Sequence, residues 1–173
     1  KDTLRAVAER VQLVEVNSTF YAVPSARNCA SWVERTAALG TLFTAKLPRE
    51  FTHERRCEAA LVAATVAGFA PLVASGRCRG LLAQFDHTFA HGASAMELLE
   101  RLAAAFLPHA PLFVELRHRS WNAFAALEEV ARLGLGVLDL DYPGAASGYG
   151  RDHSGVLAQF DHTFAHGASA MEL

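Results

Sequence analysis

The chain has 173 residues, about half of which (51%) are hydrophobic, and its formal net charge is −2. This composition is sufficient for one globular domain with a substantial core. Its near-neutral charge removes the strongest argument for non-specific nucleic-acid binding and leaves a local basic patch as the alternative. No apolar stretch reaches the roughly 18 uncharged residues of a membrane span, and no signal-like segment opens the chain at Lys1. We therefore expect a cytoplasmic protein that does not enter a membrane.

Strand-like and helical patterns alternate along the chain. A short helical pattern spans residues 3–10, and the strand-like runs begin near Val11, Thr41, Gly80, Pro111 and Leu135. The helical patterns between them cover residues 25–39, 53–75, 93–107 and 122–133, and each stops at a glycine or a proline. The spacing matches βα units, whose right-handed crossovers produce a parallel sheet. We predict an α/β fold, a partial (β/α) TIM-type barrel of about five units, because a closed eight-unit barrel usually needs about 250 residues.

The carboxyl-terminal segment is an internal copy. Residues 157–173 repeat residues 82–98 without a change, and nothing else in the chain recurs at that spacing, so this is no solenoid. We interpret the copy as a recent duplication or an assembly artefact. The predicted organisation is a partial barrel over 1–141, a glycine-rich linker over 142–155, and the duplicated segment over 156–173, which corresponds to 81–98. Leu157, Ala158 and Phe160 are expected to pair at an open sheet edge.

The three cysteines give no sign of a metal site or a disulfide framework. Cys29, Cys57 and Cys78 are odd in number and too widely spaced for a CxxC zinc motif. We expect reduced, buried thiols.

Every strand-like run ends with two polar or charged residues spaced two apart. The pairs are Glu15 and Asn17, Thr44 and Lys46, Gln84 and Asp86, Glu115 and Arg117, and Asp139 and Asp141. Alternate residues of a strand face the same side, and the carboxyl ends of parallel strands carry the ligand sites of α/β sheets and barrels. The sequence therefore predicts a ligand site at these strand ends. The alternative is a network of interior salt bridges between neighbouring strands.

Four of these strand ends resemble one family. The segments VEVNSTFY (14–21), AKLPREFTHERR (45–56), LLAQF (81–85) and VELRHRSW (114–121) resemble, in this order, the YecE-like proteins, a bacterial and archaeal TIM-barrel family of unknown function. The resemblance covers about residues 3–141. It implies functional positions at Glu15, Asn17, Lys46, His53, Gln84, Glu115, Arg117, His118 and Trp121. The chain departs from the family in lacking its first strand before Thr3 and its last strands after Asp141, and in having Asp86 where relatives have proline.

The residue types at these positions suit acid–base chemistry on an anion. The candidate catalytic residues are Glu15, Asn17, Lys46, His53, Gln84, Glu115 and Arg117. Glu15 and Glu115 would exchange protons or bind a metal, Lys46 and Arg117 would hold the anion, Asn17 and Gln84 would orient it, and His53 would relay a proton. The candidate ligand-binding residues are Tyr21, Arg49, His118, Trp121 and Asp139. The aromatic rings among them would stack on a base or sugar or, alternatively, cover the barrel mouth.

A divalent metal is the cofactor that these residues allow. Glu15, His53, Glu115 and Asp139 would supply ligands for zinc or manganese. His87 and His91 are spaced as paired ligands on a helix would be, but Gly92 favours a loop with polar histidines.

Three hypotheses follow for the function. The first is an enzyme acting on an anionic, phosphate-containing small molecule or a nucleic-acid end. The second is a binding module for the same ligands without catalysis, and the third is an inactive fragment. The sequence does not predict the oligomeric state.

Overall fold

The computed structural model describes residues 2–138 and 171–172. The chain divides into two compact units: a first unit of residues 1–82 with 168–173, and a second unit of residues 83–167. The predicted domain boundaries at 141 and 155 lie outside the described residues, and so do Leu157, Ala158 and Phe160 of the copied segment.

The first unit alternates helices with parallel strands. Its elements are α1 (Thr3–Ala8), β1 (Leu13–Val16), α2 (Ala26–Arg35), β2 (Leu42–Lys46), α3 (Arg49–Thr52), α4 (Ala59–Ala74), β3 (Cys78–Gln84, whose last two residues belong to the second unit) and the two-residue strand β6 (Met171–Glu172). The strands lie in the order β3-β2-β1-β6, and each pairs in parallel with its neighbour. Short 3-10 turns at Ser18–Phe20 and Ala37–Leu39 follow β1 and α2.

Local sequence signals set where these helices begin and end. The Asp2 side chain accepts a hydrogen bond from the Arg5 N–H at 3.0 Å, and the Ser25 hydroxyl accepts one from the Asn28 N–H at 3.1 Å, so both residues cap helices as their types favour. The chain leaves the 3-10 turn after α2 through Gly40, which has a φ of 65° that glycine adopts without strain.

Helix α4 lies close, at a glycine, to the segment that precedes α2. A Cβ built on Gly68 in α4 would lie 2.0 Å from the carbonyl oxygen of Pro24, so no larger residue fits without movement. The C-terminal end of α2 is closed by Arg77, whose guanidinium donates to the Thr36 carbonyl and hydroxyl oxygens at 3.0 Å and to the Val33 carbonyl oxygen. These contacts satisfy carbonyls that the end of a helix leaves without partners.

The second unit has the same alternation on a smaller scale. Its elements are α5 (Ala93–Phe106), β4 (Leu112–Glu115), a 3-10 turn (Arg119–Asn122), α6 (Phe124–Arg132) and β5 (Gly136–Leu138). Strands β4 and β5 pair in parallel, from Phe113 with Gly136 to Glu115 with Leu138. A buried aromatic stack of Phe85, Phe89 and Trp121 lies beside them, with ring centroids 3.9 and 5.7 Å apart.

The predicted α/β class and parallel strand pairing are confirmed in the described residues. The helix predicted over 53–75 is observed only as α4, from Ala59 to Ala74; a charged loop separates it from α3, which precedes the predicted range. All three cysteines are free, as expected, but only Cys29 is fully buried, because Cys57 and Cys78 keep partial exposure. In the part of the chain that is described, the helices are too short or too polar to cross a membrane.

Candidate functional site

Four polar side chains lie at the carboxyl ends of β1 and β2, and we call them the Lys46 cluster: Glu15, Asn17, Thr44 and Lys46. Glu15 pairs with Thr44 in the register of the two strands. Their neighbours Val14, Val16, Phe43 and Ala45 are buried at 0–5% exposure. Because strand residues alternate between faces, Glu15, Thr44 and Lys46 share the opposite face, and Asn17 follows β1 directly.

Lys46 is buried, which is rare for lysine. Its side chain is 11% exposed, and its Nζ lies 3.5 Å from Oε1 of Glu15, whose side chain is 24% exposed. A charge-assisted hydrogen bond is normally about 2.7–2.9 Å long, so this contact is a loose ion pair. The ammonium therefore keeps hydrogen-bonding capacity for a further acceptor.

The turn after β1 is tied to the end of β2. The Thr19 hydroxyl lies 3.0 Å from the carbonyl oxygen of Val16 and 2.7 Å from that of Lys46, and it is buried. Asn17 opens this turn without a side-chain capping bond, and its Oδ1 atom is buried with no hydrogen-bond partner among the described residues. One acceptor of the cluster is thus left unsatisfied, at a cost in free energy.

His53 and Tyr21 flank the ring of Phe20 on the surface. The Phe20 ring makes edge-to-face contacts with Tyr21, at a centroid distance of 5.2 Å, and with His53, at 5.0 Å. Tyr21 is 75% exposed, and His53 Nδ1 lies 2.9 Å from the Thr52 hydroxyl. The predicted proton relay through His53 has no hydrogen bond to Glu15 or Lys46 within the described ranges, and the role stays a prediction.

The basic loop before α4 is internally paired. Arg49 contacts Glu54 at 3.6 Å, and Arg56 contacts Glu54 at 3.4 Å and Glu58 at 3.1 Å, all on exposed side chains. The hydrogen bond to Glu58 raises the pKa of Arg56 above its usual value. Exposed pairs of this kind contribute little to stability, and they occupy Arg49, which was predicted to bind an anion.

The second unit holds a more tightly bonded strand-end group. The Glu115 side chain is 8% exposed; its Oε2 accepts a hydrogen bond from Gln84 Nε2 at 2.7 Å. Its Oε1 accepts a hydrogen bond from Arg117 Nε at 2.6 Å, and Arg117 Nη2 lies 2.6 Å from the same oxygen. The backbone N–H of Phe85 donates to the Glu115 carbonyl oxygen at 3.0 Å. Three predicted site residues are therefore brought together, and both oxygens of the carboxylate are satisfied.

A second series of hydrogen bonds and close polar contacts links His118, Ser120, His91 and Glu129. Nδ1 of His118 accepts from the Ser120 N–H at 3.2 Å and lies 2.8 Å from the Ser120 hydroxyl, which in turn accepts from the His91 N–H at 2.7 Å. His91 Nε2 lies 3.0 Å from Glu129 Oε2, and the Trp121 Nε1–H donates to the Phe89 carbonyl oxygen at 2.7 Å. Trp121 is fully buried, so its indole packs in the core and offers no surface to a stacking ligand.

Several residues of these groups were not predicted as site residues. The sequence pattern indicates Thr44 as a strand-end residue only, and it does not indicate Thr19, Ser120 or Glu129. Their contacts join residues up to 38 positions apart, a distance at which sequence patterns carry no signal. Asp139, a predicted ligand-binding residue, lies outside the described residues.

The structure gives no further support to a metal site. Among residues 2–138 and 171–172, no group of three or more His, Cys, Asp or Glu side chains is placed to hold a metal ion. His87 and His91 lie in the loop between β3 and α5, in agreement with the interpretation as polar loop histidines.

Two thiols of the first unit, Cys29 and Cys78, are unsuited to nucleophilic chemistry. Burial raises the pKa of Cys29 to about 11, and the neighbouring Cys78 raises it further in the same direction. Burial also raises the pKa of Cys78. Because the thiolate is the reactive form, neither thiol is a candidate nucleophile near neutral pH.

The family model described as "Protein of unknown function DUF72" matches residues 1–166. The chain belongs to the DUF72 family. The strand-end motifs predicted membership of a family of unknown function, and the match confirms that family assignment. Among curated proteins, no significant match to the chain was found.

Two solved DUF72 structures resemble the chain. A protein from Enterococcus faecalis V583 has 22% sequence identity and a TM-score of 0.74; the match covers 84% of this chain and 61% of the other. A protein from Thermotoga maritima MSB8 has 27% identity and a TM-score of 0.66, over 80% of this chain and 54% of the other. The chain thus spans little more than half the length of its DUF72 neighbours. These similarities support the α/β fold and assign no reaction.

Proposed function

We propose that the chain binds a small anionic ligand that bears a phosphate group, at the carboxyl ends of β1 and β2. Lys46 holds the anion, Asn17 and Thr44 orient it, and Glu15 positions the ammonium. Ligands of α/β proteins bind at this end of the strands, which supports the location.

The observation that carries the proposal is the burial of Lys46 beside a single, loosely held carboxylate. Its side chain is 11% exposed, and Glu15 lies 3.5 Å from Nζ. A charge in a mostly buried position is stabilised by polar partners, and the contact with Glu15 is the one ion pair that Lys46 makes within the described residues. A compact ammonium with three donors suits a phosphate oxygen as a second partner.

Calorimetry with inorganic phosphate tests this function. We expect Lys46→Met, which keeps the length of the apolar stem, to weaken phosphate binding at least about tenfold, the effect of losing one charge-assisted contact. Arg27→Met is the matched control, because Arg27 is exposed on α2 and its loss removes the same charge. Unchanged affinity in Lys46→Met, or an equal loss in the control, would contradict the proposal.

Catalysis is the second candidate function, and the burial of Glu115 favours it. This carboxylate ends β4 and is oriented by Gln84 and Arg117 through bonds of 2.6–2.7 Å. An oriented, desolvated carboxylate is suited to accept a proton from an attacking water molecule in acid–base catalysis.

Hydrolysis of p-nitrophenyl phosphate tests the catalytic candidate. The water oxygen would bond to phosphorus, Glu115 would accept the water proton, and nitrophenolate would leave. We expect Glu115→Gln to abolish turnover, with Glu128→Gln on the exposed face of α6 as the control. A wild-type protein that binds phosphate but releases no nitrophenolate would favour the binding module over a hydrolase.

The partial TIM-type barrel remains our proposal for the architecture. Alternating helices and parallel strand pairs in each unit, together with DUF72 membership, support it. A crystal structure with strands that fail to curve toward a common axis would contradict it.

A further inference from the structure

The amide of Asn17 carries a polar atom that lacks a partner at the ligand-binding end of the first unit. Its Oδ1 is buried and accepts no hydrogen bond from the described residues. The residue lies directly after β1, in the turn that Thr19 ties to the Lys46 carbonyl oxygen at 2.7 Å. An acceptor in this position calls for a donor that the described chain does not supply.

The donors and acceptors of the Lys46 cluster are unevenly distributed. Lys46 supplies donors, whereas Glu15 and Asn17 Oδ1 supply acceptors, and Asn17 Oδ1 has no hydrogen-bond partner among the described residues. A phosphate group satisfies the ammonium only, because its oxygens are acceptors. The Asn17 Oδ1 atom therefore requires a ligand group that can donate.

A hydroxyl group meets this requirement in either orientation of the amide. Asparagine oxygen and nitrogen are assigned from the hydrogen-bond pattern, so the buried atom is either an acceptor or a donor. A hydroxyl both donates and accepts, and it therefore pairs with the buried amide atom in both cases. An apolar substituent on the phosphate pairs in neither case.

We propose that the ligand of the Lys46 cluster is a hydroxylated phosphate ester, of the phosphorylated polyol or sugar class, with a hydroxyl bound by Asn17. This inference rests on the proposed function, since it assumes that Lys46 holds the phosphate group. It adds a specificity-determining residue and restricts the substrate class to esters that carry a hydroxyl close to the phosphate.

Two ligands of equal charge separate this inference from the proposed function. Glycerol 3-phosphate and propyl phosphate have the same carbon number and differ only in two hydroxyl groups. We expect wild-type protein to bind glycerol 3-phosphate about tenfold more tightly in calorimetry, the effect of one satisfied buried hydrogen bond. Asn17→Ala should reduce this ratio to about one, and Asn17→Ser, which retains a short polar group, should give an intermediate ratio.

Two control variants assign the effect to its source. Thr41→Val removes another buried atom without a partner, Thr41 Oγ1, but at the amino end of β2, and it should leave the ratio at its wild-type value. Lys46→Met should weaken both ligands by the same factor.

Each outcome decides between the two proposals. Equal and measurable affinity of the wild type for both ligands would overturn the hydroxyl inference and leave phosphate binding intact. A wild-type preference that persists in Asn17→Ala would also overturn it. Failure of the folded wild type to bind either ligand would reject the proposed function and this inference together.

Discussion

Glu15 with Lys46 and Glu115 with Arg117 are both ion pairs at strand ends, one in each unit, but their hydrogen bonding differs. Glu115 receives bonds of 2.6–2.7 Å on both oxygens, from Arg117 and Gln84. Glu15 approaches Lys46 only to 3.5 Å. The two pairs also differ in which partner is buried. In the second unit it is the carboxylate of Glu115, and in the first unit it is the ammonium of Lys46.

The chemistry of the two cations explains this difference. A guanidinium is planar and presents a fork of donors that fits a carboxylate, whereas an ammonium is a compact charge with three donors that rotate. The Glu115 group is therefore internally complete and orders its own strand end. The Glu15–Lys46 pair keeps unused donor capacity, which is why we place the anion there.

Removing Arg117 should have the largest effect on stability. Arg117→Met leaves the buried Glu115 carboxylate with Gln84 as its remaining side-chain donor, and breaking such a pair costs about 3 kcal/mol in the free energy of unfolding. Urea denaturation at pH 7 measures it. Arg132→Met, which removes an exposed arginine at the end of α6, should change stability by less than about 0.5 kcal/mol. A cost for Arg117→Met as small as that of the control would show that water, and not Arg117, satisfies Glu115.

Removing Lys46 should cost less than removing Arg117. In Lys46→Met the partner Glu15 keeps a 24% exposed side chain that water can hydrate, and the methionine stem fills the buried space. We expect a loss of at most about 1 kcal/mol in the same denaturation experiment. A loss equal to that of Arg117→Met would mean that the two pairs are equivalent and that the first has no spare capacity.

The elements of the fold were predictable because each has a local cause. The run that begins at Thr41 gave β2 to within one residue, and Gly40 ends the preceding turn as its φ of 65° requires. The pattern over 53–75 overestimated α4, which begins at Ala59. Arg55 has a φ of 56°, outside the helical region, so the chain turns there before the helix begins.

The alternation of strand residues between two faces predicted part of the candidate site, and the rest was not predictable. Alternation placed Glu15 and Lys46 on one face, and the order of strand ends placed Glu115 beside Arg117. The bond from Gln84 to Glu115 depends on which strand ends meet, and the contact of His91 with Glu129 depends on how a loop packs against α6. These are tertiary contacts, and no local pattern in the sequence encodes them.

Thr41 and Asn17 offer a smaller test, because each carries a buried polar atom with no hydrogen-bond partner among the described residues. Thr41 is 1% exposed, and its hydroxyl has no hydrogen-bond partner among the described residues. Thr41→Val replaces that hydroxyl with a methyl group of similar size, and we expect a gain of about 1 kcal/mol in the free energy of unfolding. Asn17→Ala should give a smaller gain or a loss, because its amide lies at the end that we assign to ligand binding. Destabilisation by Thr41→Val would show that its hydroxyl is satisfied, and it would weaken the same interpretation of Asn17.

A third ion pair, between Asp2 and Arg35, shows how little an exposed pair contributes by comparison. The hydrogen bond from Arg35, with a second from the Arg5 N–H, lowers the pKa of Asp2 from 3.8 to about 2. A depressed pKa in the folded state means that this contribution is present above pH 3.8 and is lost as the pH falls toward 2. Asp2→Asn keeps the helix cap and removes the charge, so its midpoint temperature should fall slightly below that of the wild type at pH 5 and equal it near pH 2. Circular dichroism melts across this range measure the difference, which 0.5 M salt should reduce because the pair is exposed. In an Arg35→Met background the difference between Asp2 and Asp2→Asn should be smaller, because only Arg5, chiefly through its N–H, then lowers the Asp2 pKa. An undiminished difference there would assign the shift to the cap and not to the ion pair.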